Sequence, residues 1–158
     1  MKLWYLLFLC MLPAQAVGAC VFDTNLQPFK VARSSLLDWS DLPPPELEQV
    51  TLTRGLGGGA SCDELGFLNI QLKWPRGTPY DLEEIGFEYR VVSGEAPEDL
   101  VPDAPVVAPI RGRRTEHQLT WNDGTPDGQQ PLHLVLEVRP VTAEGWRGRP
   151  LQVRVDSP

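Results

Sequence analysis

The chain has 158 residues, and its 21 acidic side chains outnumber its 14 Lys and Arg side chains, which gives a net charge of −7 at pH 7. This balance opposes binding to nucleic acid or to an anionic membrane surface, because phosphate contacts need clustered basic side chains. The length fits a single domain that can bury a sizeable core without an obligatory cross-link.

Residues 1–19 have the composition of a secretion signal. Lys2 provides a positive start, residues 3–12 form an apolar run, and residues 14–19 offer the small side chains that signal peptidase prefers. The apolar run is shorter than the roughly 20 residues that a membrane-spanning helix needs. The segment therefore predicts a signal peptide and an exported protein, located in the periplasm, the cell envelope or the extracellular space.

Two cysteines, Cys20 and Cys62, remain after this leader. An even number of cysteines in an exported protein favours a disulfide, and this one would close a loop of about 40 residues and stabilise the fold by a few kcal/mol. The alternative is a lipid on Cys20, because residues 17–20, "VGAC", are similar to a bacterial lipobox. Lipidation of Cys20 would be the protein's one contact with a membrane. The two alternatives predict different masses for the exported protein.

Residues 20–45 show no regular hydrophobic period, and we expect them to form an irregular N-terminal extension that ends in a proline-rich linker. Within it, residues 34–42 are compatible with a helical turn that packs Leu36, Leu37 and Trp39. Three prolines at residues 43–45 would end any such helix and impose an extended path.

From residue 46 to residue 158 the hydrophobic period is two, which is typical of half-buried β-strands. Turn-forming residues separate seven short runs of this kind, and one of them is flanked by prolines and suits the edge of a sheet. Each of the seven runs has an apolar face that must be shielded from water, and two sheets stacked face to face shield all of these faces at once. We therefore predict an all-β, seven-stranded antiparallel β-sandwich. The predicted strands are residues 49–54, 67–74, 84–92, 104–110 (the edge strand), 117–123, 131–141 and 151–156.

Three of these segments carry a family resemblance that spans residues 44–157. "LNIQLKWP" resembles the second strand of a fibronectin type III or immunoglobulin-like domain, with its buried tryptophan at Trp74. "IGFEYRVVSGE" is similar to the third strand, and "LHLVLEVRPVTAEGWRGRPLQVRV" to the final hairpin. The resemblance implies a sandwich of this type. The corner tyrosine common in such domains would fall near Leu132, which has no hydroxyl group.

The residues show no arrangement that predicts catalysis. No serine lies in a Gly-x-Ser-x-Gly sequence, and the two histidines, His117 and His133, are each placed in a strand and interpreted as solvated. We therefore expect no enzyme and no cofactor. The two histidines lack the spacing of zinc ligands, so the sequence predicts no zinc site. Asp123 and Asp127 lie among glycines in a segment that predicts a turn, with a weak alternative as calcium ligands.

The best candidate for a contact surface is Trp146, in the predicted loop of the last hairpin. Loops at the ends of a sandwich commonly bind partners, and tryptophan beside arginine is frequent at binding hot spots. The alternative is that the Trp146 ring folds back over the rim of the sandwich. The predicted surface contains Trp146, Arg147 and Arg149, together with Arg111, Arg113 and Arg114.

These features predict a non-enzymatic exported β-sandwich module with a binding or scaffolding role, and an unknown protein or glycan as its partner. One alternative is an envelope lipoprotein anchored through Cys20. Another, from a different class, is a carbohydrate-binding or calcium-dependent adhesion module, which would use Trp146 and the acidic loops.

Overall fold

The computed structural model describes residues 24–32, 37–39, 41–58 and 62–157. The predicted signal peptide and Cys20 lie outside the described residues. Within the described ranges the chain is built from β-strands and two three-residue 3-10 turns, Leu82–Glu84 and Pro126–Gly128. In chain order the strands are β1 (Gln27–Pro28), β2 (Leu37–Asp38), β3 (Glu46–Thr53), β4 (Leu65–Lys73), β5 (Ile85–Ser93), β6 (Val106–Val107), β7 (Ile110–Arg111), β8 (Arg114–Asn122), β9 (Leu132–Thr142), β10 (Trp146–Arg147) and β11 (Leu151–Ser157).

The strands form two sheets, which is compatible with a β-sandwich. The smaller sheet has the order β3-β4-β8-β7, and the larger one has the order β1-β6-β5-β9-β10-β2, with β11 also paired to β9. The pairings are antiparallel except for that of β2 with β10, which is parallel. The prediction of an all-β protein with antiparallel sheets is confirmed.

Each of the seven predicted strands overlaps an observed one, but the predicted number of strands is wrong. Residues 104–110 do not form one edge strand, because β6 belongs to the larger sheet and β7 to the smaller sheet. Pro109 lies between them, and proline cannot donate a ladder hydrogen bond. Three two-residue strands, β1, β2 and β10, were not predicted, since two residues are too short to show a period.

The core lies between the two sheets, where alternate side chains of the long strands point inward. In β4, Leu68, Ile70 and Leu72 are fully buried, and their neighbours along the strand are only partly buried. β9 supplies Leu134 and Leu136 from the opposite sheet. Burial of one such side chain contributes about 1.5–3 kcal/mol. The period of two that predicted the strands therefore also predicted the core.

One end of the core is fitted around a glycine. Gly66 pairs directly with Trp121 across β4 and β8. A Cβ atom at Gly66 would lie 2.3 Å from carbons of the Trp121 ring, so the indole lies against the backbone in the space that a side chain would need. Trp121 is buried, as its position in the alternation predicted.

Residues 24–32 and 37–39 of the N-terminal extension lie across the larger sheet, and we call them the strap. At one edge of the sheet β1 pairs with β6, and at the other β2 pairs with β10. Between them the Phe29 ring covers Gly86 of β5, where a Cβ atom would lie 2.3 Å from it. The Ala32 N–H then donates to the Ala143 carbonyl at 2.7 Å.

The strap corrects two expectations about the extension. Leu37–Asp38, within the predicted helical turn, is a strand, because the backbone of β10 offers it hydrogen-bonding groups. The extension is also less irregular than predicted, since it holds two short strands. Trp39, Asp41 and Leu42 of that predicted turn are also described and belong to no helix, and residues 34–36 and 40 lie outside the described residues.

Candidate binding site

Three connections meet at one end of the sandwich, which we call the loop end. They are residues 74–84 between β4 and β5, the turn at 112–113 between β7 and β8, and residues 143–150 between β9 and β11. Lys73 at the end of β4 pairs with Arg114 at the start of β8, and Ile85 at the start of β5 pairs with Thr142 at the end of β9. The antiparallel register therefore places the two parts of the predicted contact surface at the same end of the sandwich.

An aromatic cluster occupies one side of the loop end. The rings of Trp39 and Tyr80 have centroids 5.9 Å apart, and those of Trp39 and Trp146 are 6.1 Å apart, both in edge-to-face geometry. All three side chains are half-buried. The Trp39 N–H donates to the Arg147 carbonyl at 2.6 Å, so the strap positions the middle ring. Trp146 thus packs on the rim from a short strand and does not project from a loop.

Arg147 and Arg149 follow Trp146 but have different surroundings. The Nε and Nη2 atoms of Arg147 each donate to one oxygen of the Glu88 carboxylate at 2.8 Å. This hydrogen bonding raises the pKa of Arg147 above its usual range. Arg147 is therefore held on the outer face of the larger sheet. Arg149 is exposed, and its backbone N–H donates to the Leu42 carbonyl.

The arginines between β7 and β8 are also partly engaged. Arg113 donates to the Trp74 carbonyl, and the Trp74 indole N–H lies 2.9 Å from both the Tyr80 carbonyl and the Thr78 hydroxyl. Arg114 forms an ion pair with Glu48, and the hydrogen bond from Arg114 lowers the pKa of Glu48. Arg111 is exposed.

A groove of about 420 Å³ lies between the loop at 74–84 and the β7–β8 turn. Its lining includes two arginines and two carboxylates, and Tyr80 belongs both to the groove and to the aromatic cluster. The arrangement can offer an aromatic contact next to donors and acceptors of both charges. Sequence reasoning did not assign Trp39, Tyr80 or Arg76 to the surface, although a tyrosine in a turn is a recognisable signal. The charged lining residues are Arg76, Asp81, Glu83 and Arg113.

The weak calcium candidates lie at the opposite end. The Asp123 carboxylate accepts hydrogen bonds from two nitrogens of Arg54 at 2.8 and 2.9 Å, from the Gly55 N–H at 2.8 Å and from the Trp121 indole N–H at 3.0 Å. Burial alone would raise the pKa of Asp123, but these hydrogen bonds outweigh it and lower the pKa. Asp127 is exposed in a 3-10 turn. Among the described residues, no three His, Cys, Asp or Glu side chains are grouped as metal ligands.

The two histidines differ, and the interpretation of His117 as solvated is wrong. His117 is fully buried, and neither ring nitrogen has a hydrogen-bond partner among the described residues. The centroid of its ring lies 5.1 Å from that of Phe87 and 5.7 Å from that of Tyr89. The Tyr89 hydroxyl is also buried and has no hydrogen-bond partner among the described residues. Burial lowers the pKa of His117 to about 4. His133 is exposed, with Nδ1 3.2 Å from the Asp156 carboxylate.

Cys62 lies exposed in the turn before β4 and has an interaction partner in the structure. Because Cys20 lies outside the described residues, the pairing of these two cysteines stays a prediction.

Comparisons with protein-family models, with curated proteins and with solved structures gave no match. In the part of the chain that the structure describes, no helix has the length and apolar character needed to cross a membrane.

Proposed function

We propose that the protein is a non-enzymatic exported β-sandwich module that binds a protein partner through its loop end. The observation that carries this proposal is the convergence of three sequence-distant aromatic side chains, Trp39, Tyr80 and Trp146, beside a charged groove. Aromatic and arginine side chains dominate the energetics of protein interfaces.

The contacts of the cluster support a rigid binding surface. The Trp39 N–H donates to the Arg147 carbonyl, and the Trp146 N–H donates to the Thr142 hydroxyl at 3.3 Å, so the backbone that carries both rings is held in place before a partner binds. Two arginines at this end, Arg76 and Arg111, form no ion pair with any residue of the described ranges. Their guanidinium groups can donate to an acidic partner.

We propose further that the sandwich is of the fibronectin type III or immunoglobulin-like type. The sheet orders support this, because β3, β4 and β8 are neighbours in one sheet and β6, β5, β9 and β11 are neighbours in the other. The ion pair of Arg54 with Asp123, reinforced by donation from Arg54 to the Gln130 carbonyl, ties down the connection before β9. It would replace the corner tyrosine that this sequence lacks.

Site-specific photo-crosslinking in the producing cells tests the binding surface. A photoreactive phenylalanine replaces Arg76 at the loop end or, as the control, Leu56, which is 79% exposed in the connection between β3 and β4 at the other end. We expect a discrete crosslinked product from position 76 alone, which disappears when Arg113→Glu is added. Equal products from both positions, or products that survive Arg113→Glu, would contradict the proposal.

A glycan is the second candidate partner, because Tyr80 joins the aromatic cluster to the polar groove and sugars bind through both kinds of contact. A glycan array with the wild-type protein, Trp146→Ala and the matched Trp146→Phe tests it. Retention that falls in Trp146→Ala and persists in Trp146→Phe would support the glycan. We expect such retention to withstand EDTA, since four donors already occupy the Asp123 carboxylate. Retention unchanged in Trp146→Ala would exclude this candidate.

Export and the state of Cys20 belong to the same proposal. We propose a disulfide between Cys20 and Cys62, with lipidation of Cys20 as the alternative. The intact mass of the exported protein distinguishes them, because a disulfide removes two hydrogens and acyl chains add mass. A mass that retains the leader would contradict the proposed export route.

A further inference from the structure

Among the strands that the structure describes, none pairs with the outer edge of β8 from Glu116 onward, so the smaller sheet is open there. β7 pairs only with Thr115 and Arg114, so from Glu116 onward β8 has a strand on one side, β4. Open edges present unpaired N–H and C=O groups and are templates for a further strand. The edge lies beside the seam between the two sheets, where β1 and β6 end the larger sheet.

The strap already makes a strand-like contact on this edge. The Asn25 carboxamide donates to the Glu116 carbonyl at 2.7 Å and accepts from the Gln118 N–H at 3.0 Å. Both backbone groups therefore point away from β4. Because a strand alternates the direction of its backbone groups, the Gln118 carbonyl and both groups of Thr120 point the same way. No described backbone group pairs with them.

An apolar groove of about 360 Å³ lies against these groups. Leu26 and Pro28 of the strap, Leu100, Val106 and Leu119 contribute its apolar walls. An extended peptide on the Thr120 edge would direct alternate side chains toward such walls, because successive side chains of a strand point to opposite faces.

The rim of the groove is acidic. Its charged residues are Asp99 and Asp103, both exposed, and neither forms an ion pair with any residue that the structure describes. The complementary partner therefore carries basic side chains beside its apolar ones.

We propose that the protein binds an extended peptide segment, alternately apolar and flanked by Lys or Arg, as an added strand on the Gln118–Thr120 edge of β8. The backbone hydrogen bonds supply affinity, and the groove and its acidic rim supply specificity, as in other cases of strand addition. This surface is separate from the loop end, so the two proposals stand or fall independently.

The test uses NMR titration of the purified protein with a synthetic nine-residue peptide of alternating Val and Thr that has Lys at both ends. We expect saturable shifts centred on the Gln118 and Thr120 amides, with a dissociation constant below about 1 mM. Thr120→Pro removes the outward N–H and should weaken binding about tenfold or more, whereas the matched Thr120→Val keeps that N–H and should bind like the wild type.

The charge of the rim is tested separately. Asp99→Asn with Asp103→Asn should weaken binding of the Lys-ended peptide several-fold and leave a Glu-ended peptide unaffected; asparagine also tolerates the positive φ of Asp99. If Thr120→Pro does not fold, the Asp99→Asn, Asp103→Asn double variant and Thr120→Val still test whether the peptide binds at this edge. Absence of saturable binding, shifts away from β8, or equal binding of the Glu-ended peptide would overturn the proposal. So would binding that appears only after the protein is shortened to begin at Thr24, since the chain's own N-terminal segment would then be the occupant.

Discussion

The sandwich body and the strap are held in place by different contacts. The body is built from strands seven or more residues long, and all of these except β3 bury alternate side chains in the core. The strap contributes two strands of two residues each and two rings, Phe29 against the backbone of Gly86 and Trp39 between Tyr80 and Trp146. Its stability therefore depends on groups that the body leaves uncovered. The comparison predicts that changes in the body cost the most and that changes under the strap cost less.

Phe87→Ala should have the largest effect on stability. The Phe87 ring, on β5 of the larger sheet, is 1% exposed. It packs edge-to-face against the rings of Trp74 and His117. Removal of a buried phenylalanine ring leaves a cavity and typically costs about 3–5 kcal/mol. Chemical denaturation of the two proteins measures the difference. A loss as small as that for Phe29→Ala would contradict the distinction between body and strap.

Acid should destabilise the body through His117. Its folded pKa of about 4 lies below the ordinary value of 6.5, so the unfolded state takes up the proton first as the pH falls. The contribution of His117 to the free energy of unfolding is constant above pH 6.5. It falls as the pH drops from 6.5 to the folded pKa, by up to about 3 kcal/mol in total.

His117→Leu should abolish this acid-dependent part, because leucine cannot take up a proton. The measurement is the difference in unfolding free energy between wild type and variant at about pH 7.5 and about pH 4.5, which cancels the titration of carboxylates. His133→Gln is the exposed control and should leave the difference unchanged. If the difference in unfolding free energy between wild type and His117→Leu is the same at both pH values, His117 is not buried as a neutral ring.

Gly86→Ala should have a smaller effect, confined to the strap. The added methyl group would lie 2.3 Å from the Phe29 ring, so the ring must move, at a cost of about 1–3 kcal/mol. In a double-mutant cycle, Phe29→Ala should remove most of that cost, because the two changes act on one contact. Strictly additive losses would show that Phe29 does not rest on Gly86.

Glu48→Gln should have the smallest effect. The ion pair of Glu48 with Arg114 joins exposed side chains on β3 and β8, and such pairs contribute little to stability. We expect melting temperatures like those of the wild type at low and high salt, with Arg114→Gln as the matched control. A clear loss of stability in both variants would show that this pair secures the edge strand β3.

The strands of the body could be predicted from the sequence, because their buried side chains follow the period of two. The strap and the aromatic cluster could not be predicted, because contacts between distant segments form them. The alternation that correctly buried Leu119 and Trp121 also places His117 on the same face. The interpretation of His117 as solvated therefore disagreed with the period that predicted the strand around it. For the candidate site, the sequence predicts two local clusters, the arginines at 111–114 and the tryptophan with arginines at 146–149. Trp39 and Tyr80 were not assigned to this site, since only the register of distant strands brings them together.

The pairing partners of the strap limit when it can dock. Leu37 pairs with Trp146 and Gln27 with Val107, so each strand of the strap needs a partner that lies far along the chain. Pairings of such large sequence separation are slow to form, because a long loop must close first. In a chain that emerges N-terminus first, β1 therefore stays undocked until β6 has been made, and β2 until β10 has been made.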